Sequence, residues 1–363
     1  MSRSRVVVLA LAATLMMAAA FPAGAQPRVG ARPDAPEEQA GPFADYNGDG
    51  FQDLAVGAPT EDFGSTVDAG AISIFYGVPT GSGLPILSQT LVQGNPEAGD
   101  HFGAALEAGP LNNDIYYDLV VGVPGENLGA AADAGAVNVF LGGPNGLQAT
   151  SQVLVQDNPE TGDQFGAALA TGFIDGNFYD LVVGAPGEDV GTRVDAGTAN
   201  FFSSGSNGVL PPVSGPALLQ DNPEAGDRFG AAVIADFFDA NFYDLVVGAP
   251  GENVGTTVDA GVVNYFSSGT AGVLPPVSGP ALLQDNPEAG DRFGAALTTK
   301  FLADGPLFDV VVGAPGEDVG ATVDAGAANV FTNPSGMVPT ISNQTLLQGN
   351  PEADDQFGAA LDF

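Results

Sequence analysis

Apolar residues in this chain come in short runs of about five to seven, each bounded by Gly, Pro, Asn or Asp and rich in Val, Phe, Tyr and Ile. "DLAVGAP", "DLVVGVP", "DLVVGAP" (twice) and "DVVVGAP" form one series, and "AISIFYG", "AVNVFLG", "TANFFSS", "VVNYFSS" and "AANVFTN" a second. No window sustains a helical period with caps, so the pattern predicts strands and turns throughout. The first series is apolar at successive positions rather than alternating. That predicts a strand buried on both faces.

The runs recur in order. The aspartate that opens the first series falls at Asp53, Asp118, Asp180, Asp244 and Asp309, at spacings of 65, 62, 64 and 65. After each "GAP" or "GVP" comes an acidic loop such as "GEDVGTRVDAG", then the second run, a variable turn and a third run such as "QVLVQ" or "PALLQ". The unit closes with "DNPEAGDRFGAAL" or a near copy. Residues 201–232 and 265–296 differ at three of 32 positions, which points to duplication. Four strands per unit in a repeated array predict an all-β fold, a β-propeller of about five four-stranded blades over residues 43–363. The first copy starts at "FADYNGDG" without its own "FGAAL", and Phe357–Phe363 reads "FGAALDF". Joining the two rebuilds a unit, so the ring is expected to close by the C-terminal strand completing the first blade. A fragment of a larger ring is the alternative.

The N-terminus breaks this pattern. Arg3 and Arg5 precede an apolar run too short to span a bilayer comfortably, and "AGA" at 23–25 offers small residues for cleavage. Residues 1–25 therefore read as a signal peptide cut after Ala25, with export to the extracellular side. Residues 26–42, "QPRVGARPDAPEEQAGP", read as a disordered lead-in. No later stretch reaches about 18 apolar residues, so no membrane span is expected after cleavage.

Charge narrows the partners. Asp plus Glu number 44 against 8 Lys plus Arg, for a net charge of -36, and losing Arg3 and Arg5 takes it to -38. Such a surface repels nucleic acid and anionic lipid. Cysteine is absent, so no disulfide supports the fold.

One stretch carries distinctive chemistry. "DYNGDGFQD" sets Asp45, Asn47 and Asp49 at positions 1, 3 and 5, the Phe51 carbonyl at 7 and Asp53 at 9, with Gly50 at the turn. A hard cation such as Ca²⁺ takes six to eight oxygen ligands, and this spacing wraps one ion. An EF-hand would need Glu at position 12, where Val56 stands. A solvated Asn-Gly turn is the competing reading. The other loops are degenerate: "PLNNDIYYD" has Pro110 at position 1, "GFIDGNFYD" and "FLADGPLFD" lose positions 1, 3 and 5, and "DFFDANFYD" keeps only Asp236. Their final Asp reads as a turn-capping residue, and aromatic residues replace the metal donors. The acids of "PGEDVG…VDAG", Glu188, Asp189 and Asp195 in one copy, read as solvent-facing, and "NPEAGD" as a turn.

The alternation of "FGAAL" and "VGAP" around an oxygen-rich loop resembles FG-GAP repeats, the units of the integrin alpha-subunit head and of many bacterial secreted proteins. The resemblance covers roughly residues 43–363. It implies a β-propeller with calcium sites in loops between the first and second strands of some blades. It also implies extracellular recognition or adhesion, with a protein or polysaccharide ligand. The chain departs from the family in blade count, since integrin heads have seven, and in keeping one intact metal loop.

Catalytic signals are thin. The single histidine, His101, occupies a position held elsewhere by Gln164, Arg228, Arg292 and Gln356, and there is neither a Cys nucleophile nor G-x-S-x-G. The expectation is a calcium-binding recognition module without catalysis. The alternatives are a passive envelope or matrix component and a carboxylate-dependent hydrolase or lyase. Oligomeric state is left open.

Overall fold

The computed structural model describes residues 44–363 apart from 80–86, 113, 177, 205–209, 216, 239–241, 270–272, 280, 301, 303–306, 334–343 and 362–363. The expected signal peptide (1–25) and lead-in (26–42) lie outside the described residues. The described residues form nineteen strands and no α-helix, as short turn-bounded runs dictate.

The strands make five antiparallel sheets, each a meander of consecutive strands. Sheet 1 holds β1 (Leu54–Ala58), β2 (Ala71–Phe75) and β3 (Leu87–Leu91). Sheet 2 holds β4 (Leu106–Gly109), β5 (Asp118–Val123), β6 (Ala136–Phe140) and β7 (Gln152–Leu154). Sheet 3 holds β8 (Ala168–Gly172), β9 (Asp180–Ala185), β10 (Thr198–Phe202) and β11 (Ala217–Leu218). Sheet 4 holds β12 (Ala232–Asp236), β13 (Asp244–Ala249), β14 (Val262–Phe266) and β15 (Ala281–Leu282). Sheet 5 holds β16 (Ala296–Lys300), β17 (Asp309–Ala314), β18 (Ala327–Phe331) and β19 (Gln344–Leu346). The inner strands pack in sequence, β4 on β8, β8 on β12 and β12 on β16. With Leu361 they line one central cavity of about 310 Å³. This is the architecture of a β-propeller of about five blades.

The second strand of each unit is the keystone. Leu119 and Val121 of β5 pack on Ile72 and Ile74 of sheet 1. The opposite side of β5, through Val120, faces Leu181 and Val183 of β9 in sheet 3. Strands β5, β9, β13 and β17 are buried at every position. Burying each such Val or Leu contributes ~1.5–3 kcal/mol, which explains why the runs do not alternate.

The recurring FG and GAP residues make the joints. The phenylalanine of the FG packs against the second-run phenylalanine: Phe165 on Phe202, Phe229 on Phe266 and Phe293 on Phe331, all with centroids 5.9 Å apart. The glycine that follows comes backbone to backbone against the glycine of GAP. A Cβ on Gly184 would sit far inside contact with the Gly230 carbonyl, and one on Gly122 inside contact with that of Gly166. Only a hydrogen side chain permits this approach.

Sheet 1 departs from the expectation. It has three strands, and β1 is exposed at alternate positions, with Leu54 44% and Val56 43% exposed. Their counterparts Leu119 and Val121 are 1% and 0% exposed. A strand buried on both faces needs a sheet on each side, and no described contact covers this side of β1. Of the Phe357–Phe363 segment expected to complete the first blade, Phe357 bridges Gly326 of the sheet 5 unit, the described residues Phe357–Leu361 form no strand with β1, and Asp362 and Phe363 lie outside the described residues.

Candidate functional site

The loop 45–53 is folded around its own oxygen side chains. Asp45 Oδ1 accepts from the backbone N–H of Gly48 (2.7 Å) and Asp49 (3.1 Å), and Oδ2 from Gly50 (2.8 Å). Asn47 Oδ1 accepts from Asp49 N–H and Asp49 Oδ1 from Phe51 N–H, each at 2.9 Å. Gly48 and Gly50 supply the positive φ (70° and 85°) that such a tight coil requires. Tyr46, 2% exposed, pins the loop to the core, and its carbonyl accepts from Gly143 of the next unit.

Asp53 has a different setting. It is 4% exposed, and its oxygens accept from Tyr46 N–H (2.8 Å) and Gly77 N–H (2.7 Å). The same clamp recurs at all five positions. Oδ1 of Asp118, Asp180, Asp244 and Asp309 accepts from the N–H of Gly142, Ser204, Ser268 and Asn333, always 24 residues on. The repeated aspartate therefore ties the loop before the second strand to the end of the third. Burial pushes Asp53 up from the ordinary carboxylate range, the Gly77 and Tyr46 N–H groups pull it down, and Asp45 and Asp49 raise it further. Burial likewise lifts Asp118 to about 6 and Asp180 to about 7.

The loop in the second unit shows what changed. Asn112 Oδ1 accepts from Asp114 N–H and Asp114 Oδ1 from Tyr116 N–H, the same Asx geometry as Asn47 and Asp49. Pro110 stands where Asp45 supplies its carboxylate. Further round, aromatic contacts take over: Phe237 on Tyr243 at 4.3 Å, Tyr179 on Tyr243 and Phe173 on Tyr179 both at 6.3 Å.

Asp45, Asn47, Asp49, the Phe51 carbonyl and Asp53 thus share one short loop of hard oxygen donors, the donor chemistry Ca²⁺ takes. The carboxylates of Asp45 and Asp49 turn onto loop N–H groups, and among the described residues no three or more His, Cys, Asp or Glu side chains converge as a metal site.

A second acidic constellation was not anticipated. At four places the closing Gln of one unit meets the Glu of the next unit's GAP loop beside a buried Asp. Gln156 Nε2 donates to Asp163 Oδ2 and to Glu188 Oε2 (2.8 Å), and Glu160 N–H donates to Asp163 Oδ2 (2.5 Å). The set recurs as Gln220, Asp227 and Glu252 and as Gln284, Asp291 and Glu317; in the first junction Gln93 Nε2 donates to Glu126 and Asp100 accepts from Glu97 N–H. The aspartates are 0–1% exposed. Two carboxyl groups so placed cannot both ionise cheaply. Burial first, then the neighbouring Asp, pushes Glu188 and Glu252 to about 8 and Glu317 to about 7. The GAP-loop glutamates therefore do not face solvent as expected; they are half-buried at the sheet junctions, whereas Asp189 and Asp195 are exposed and Asp189 Oδ1 closes the hairpin on Asp195 N–H. The signal for the junction was the Gln seven residues before the "NPEAGD" aspartate.

His101 is half-buried with a left-handed φ of 55°, and Gln164, Arg228, Arg292 and Gln356 are left-handed as well. Among the described residues no helix is long and apolar enough to cross a membrane.

Comparison with known proteins agrees with this geometry. A family model described as "FG-GAP repeat" matches residues 39–75. Integrin alpha-PS5 of Drosophila melanogaster is 39% identical over 153 residues, covering 40% of this chain and 14% of the relative. Integrin alpha-5 of Xenopus laevis is 31% identical over 183 residues, covering 47% of this chain and 17% of the relative. Phosphatidylinositol-glycan-specific phospholipase D of Mus musculus is 30% identical over 164 residues, covering 44% and 20%. The chain spans 20% or less of the length of these relatives. It carries an FG-GAP repeat and, over about two fifths of its length, resembles the integrin alpha subunits.

Proposed function

We propose that this protein is a secreted, calcium-binding recognition and adhesion propeller that engages an extracellular protein or polysaccharide without catalysing a reaction. The observation that carries this reading is the combination of an integrin-like blade array with one loop that keeps Asp45, Asn47, Asp49, Phe51 and Asp53 as oxygen donors. Resemblance to a phospholipase D supports a second, catalytic reading, but the clamp aspartates are held by backbone N–H groups, and at the junctions backbone and Gln donors engage one oxygen of each aspartate. Titration with calcium after chelation tests the metal. Ca²⁺ at ten times its Kd should stabilise the fold by about 1.4 kcal/mol. Asp49→Ala should remove most of that gain, and an unchanged melting temperature in the wild type would refute the site. Capture of extracellular proteins and polysaccharides on immobilised protein tests recognition; an absence of any capture favours the passive structural role.

The same reading includes closure of sheet 5 onto sheet 1. A fifth acid junction is half built: Gln348 Nε2, half-buried, already donates to the exposed Asp355, while the equivalent GAP-loop glutamate, Glu61, is exposed. Leu361 lines the central cavity beside Glu107 of β4. Meeting of these groups would bury Leu54 and Val56 as their counterparts are buried.

A further inference from the structure

The described residues contain four basic side chains, Arg193, Arg228, Arg292 and Lys300, and two of them line a single cavity. The cavity measures about 540 Å³ and is walled by Pro186, Pro250 and Pro315, the prolines that follow β9, β13 and β17. Arg228 and Arg292 enter it from equivalent positions of neighbouring units. Each is exposed and lies between a buried aspartate and a buried phenylalanine: Asp227 and Phe229, and Asp291 and Phe293. Each backbone is fixed in the left-handed region (φ 56° and 54°), with its N–H donated to Asp195 and Asp259 carbonyls. The points from which the two guanidinium groups depart are therefore rigid.

Their surroundings are unusual for this molecule. In a chain with 44 acids, an arginine should find a carboxylate, yet neither guanidinium has a hydrogen-bond or ion-pair partner among the described residues. Asp195 is the one acid lining the cavity, so its local charge is positive against a strongly negative whole. Arginine presents a planar fork of donors matched to a carboxylate, and two forks departing from fixed backbone points into one cavity can converge on one anion. The overall negative field disfavours a polyanion and favours a small ligand of low charge.

We propose that the cavity between Arg228 and Arg292 binds a small carboxylate-bearing ligand. The proposal rests on the recognition reading and gives it a ligand chemistry. Succinate is the probe, titrated calorimetrically into the full chain at low ionic strength, with inorganic sulfate and the neutral succinamide beside it. Arg→Gln is a substitution the fold already accommodates, because Gln164 stands at the equivalent position with φ 55°. Succinate should bind with a Kd on the order of millimolar, each of R228Q and R292Q should weaken it about tenfold, and the double variant should not bind. R193Q, outside the cavity, should stay within about twofold, and raised salt should weaken binding. Absence of succinate binding to the wild type, equal binding by the double variant, or sulfate binding tighter than succinate would each overturn the proposal. Loss of succinate binding in R228Q/R292Q with partner capture unchanged keeps the two readings separate, and failure of wild-type capture alongside intact succinate binding falls on the recognition reading and not on the cavity.

Discussion

The acid junctions make stability fall as pH rises, and the size of the effect follows from the structure. At the junctions of sheets 2 to 5 the GAP-loop glutamate faces a buried aspartate with one Gln amide between them. Glu188, Glu252 and Glu317 are raised from the ordinary 4.5 to about 8, 8 and 7. A folded value above the unfolded one means the native state holds the proton more tightly. The stabilisation is present in full below pH 4.5 and is lost as pH climbs through 7 to 8. One pH unit of displacement is worth about 1.4 kcal/mol. These side chains are only half-buried, so solvent screening reduces the net to about 1 kcal/mol per junction. Three junctions then give about 3 kcal/mol between pH 5 and pH 9, or roughly 6–12 °C in Tm at 2–4 °C per kcal/mol. The perturbation is the triple variant Glu188→Gln, Glu252→Gln, Glu317→Gln, in which a neutral amide stands for the protonated acid. Scanning calorimetry across pH should show a steep decline in the wild type and a nearly flat profile in the variant. General charge repulsion also destabilises a protein of net charge -36 as pH rises, but salt screens it and the variant retains it. Parallel slopes in the two proteins, abolished by salt, would refute the junction mechanism.

Other consequences are open to direct measurement. Gly184→Ala forces a Cβ into the Gly230 carbonyl and should cost at least ~2 kcal/mol in denaturant unfolding, whereas Gly191→Ala meets no neighbouring atom and pays only for its left-handed φ of 70°, a smaller loss. Asp180→Ala strands the buried Ser204 N–H and should cost ~1–3 kcal/mol, with hydrogen exchange accelerating at Ser204. Val56→Asp should destabilise by more than ~1 kcal/mol if sheet 5 covers β1, while a change within ~0.5 kcal/mol would show that face to be open to solvent.

How much was legible in the sequence divides by range. The short apolar runs, their turn residues and their period were enough for an all-β array of repeated sheets, because strand pairing within a unit is local. The loop at 45–53 was legible as a set of oxygen donors for the same reason: its chemistry lies within nine consecutive residues. What tertiary structure alone decided lies between units. The aspartate read as a turn cap proved to be a clamp on an N–H 24 residues away. The glutamates read as solvent-facing proved to be half-buried partners of an aspartate from the preceding unit. The position held by His101, Gln164 and Arg228 differs in residue type from copy to copy, and only the packing of neighbouring units brought Arg228 and Arg292 to one cavity. β1, identical in pattern to its buried counterparts, is exposed, because burial on both faces is conferred by the neighbouring sheet and not by the strand's own residues.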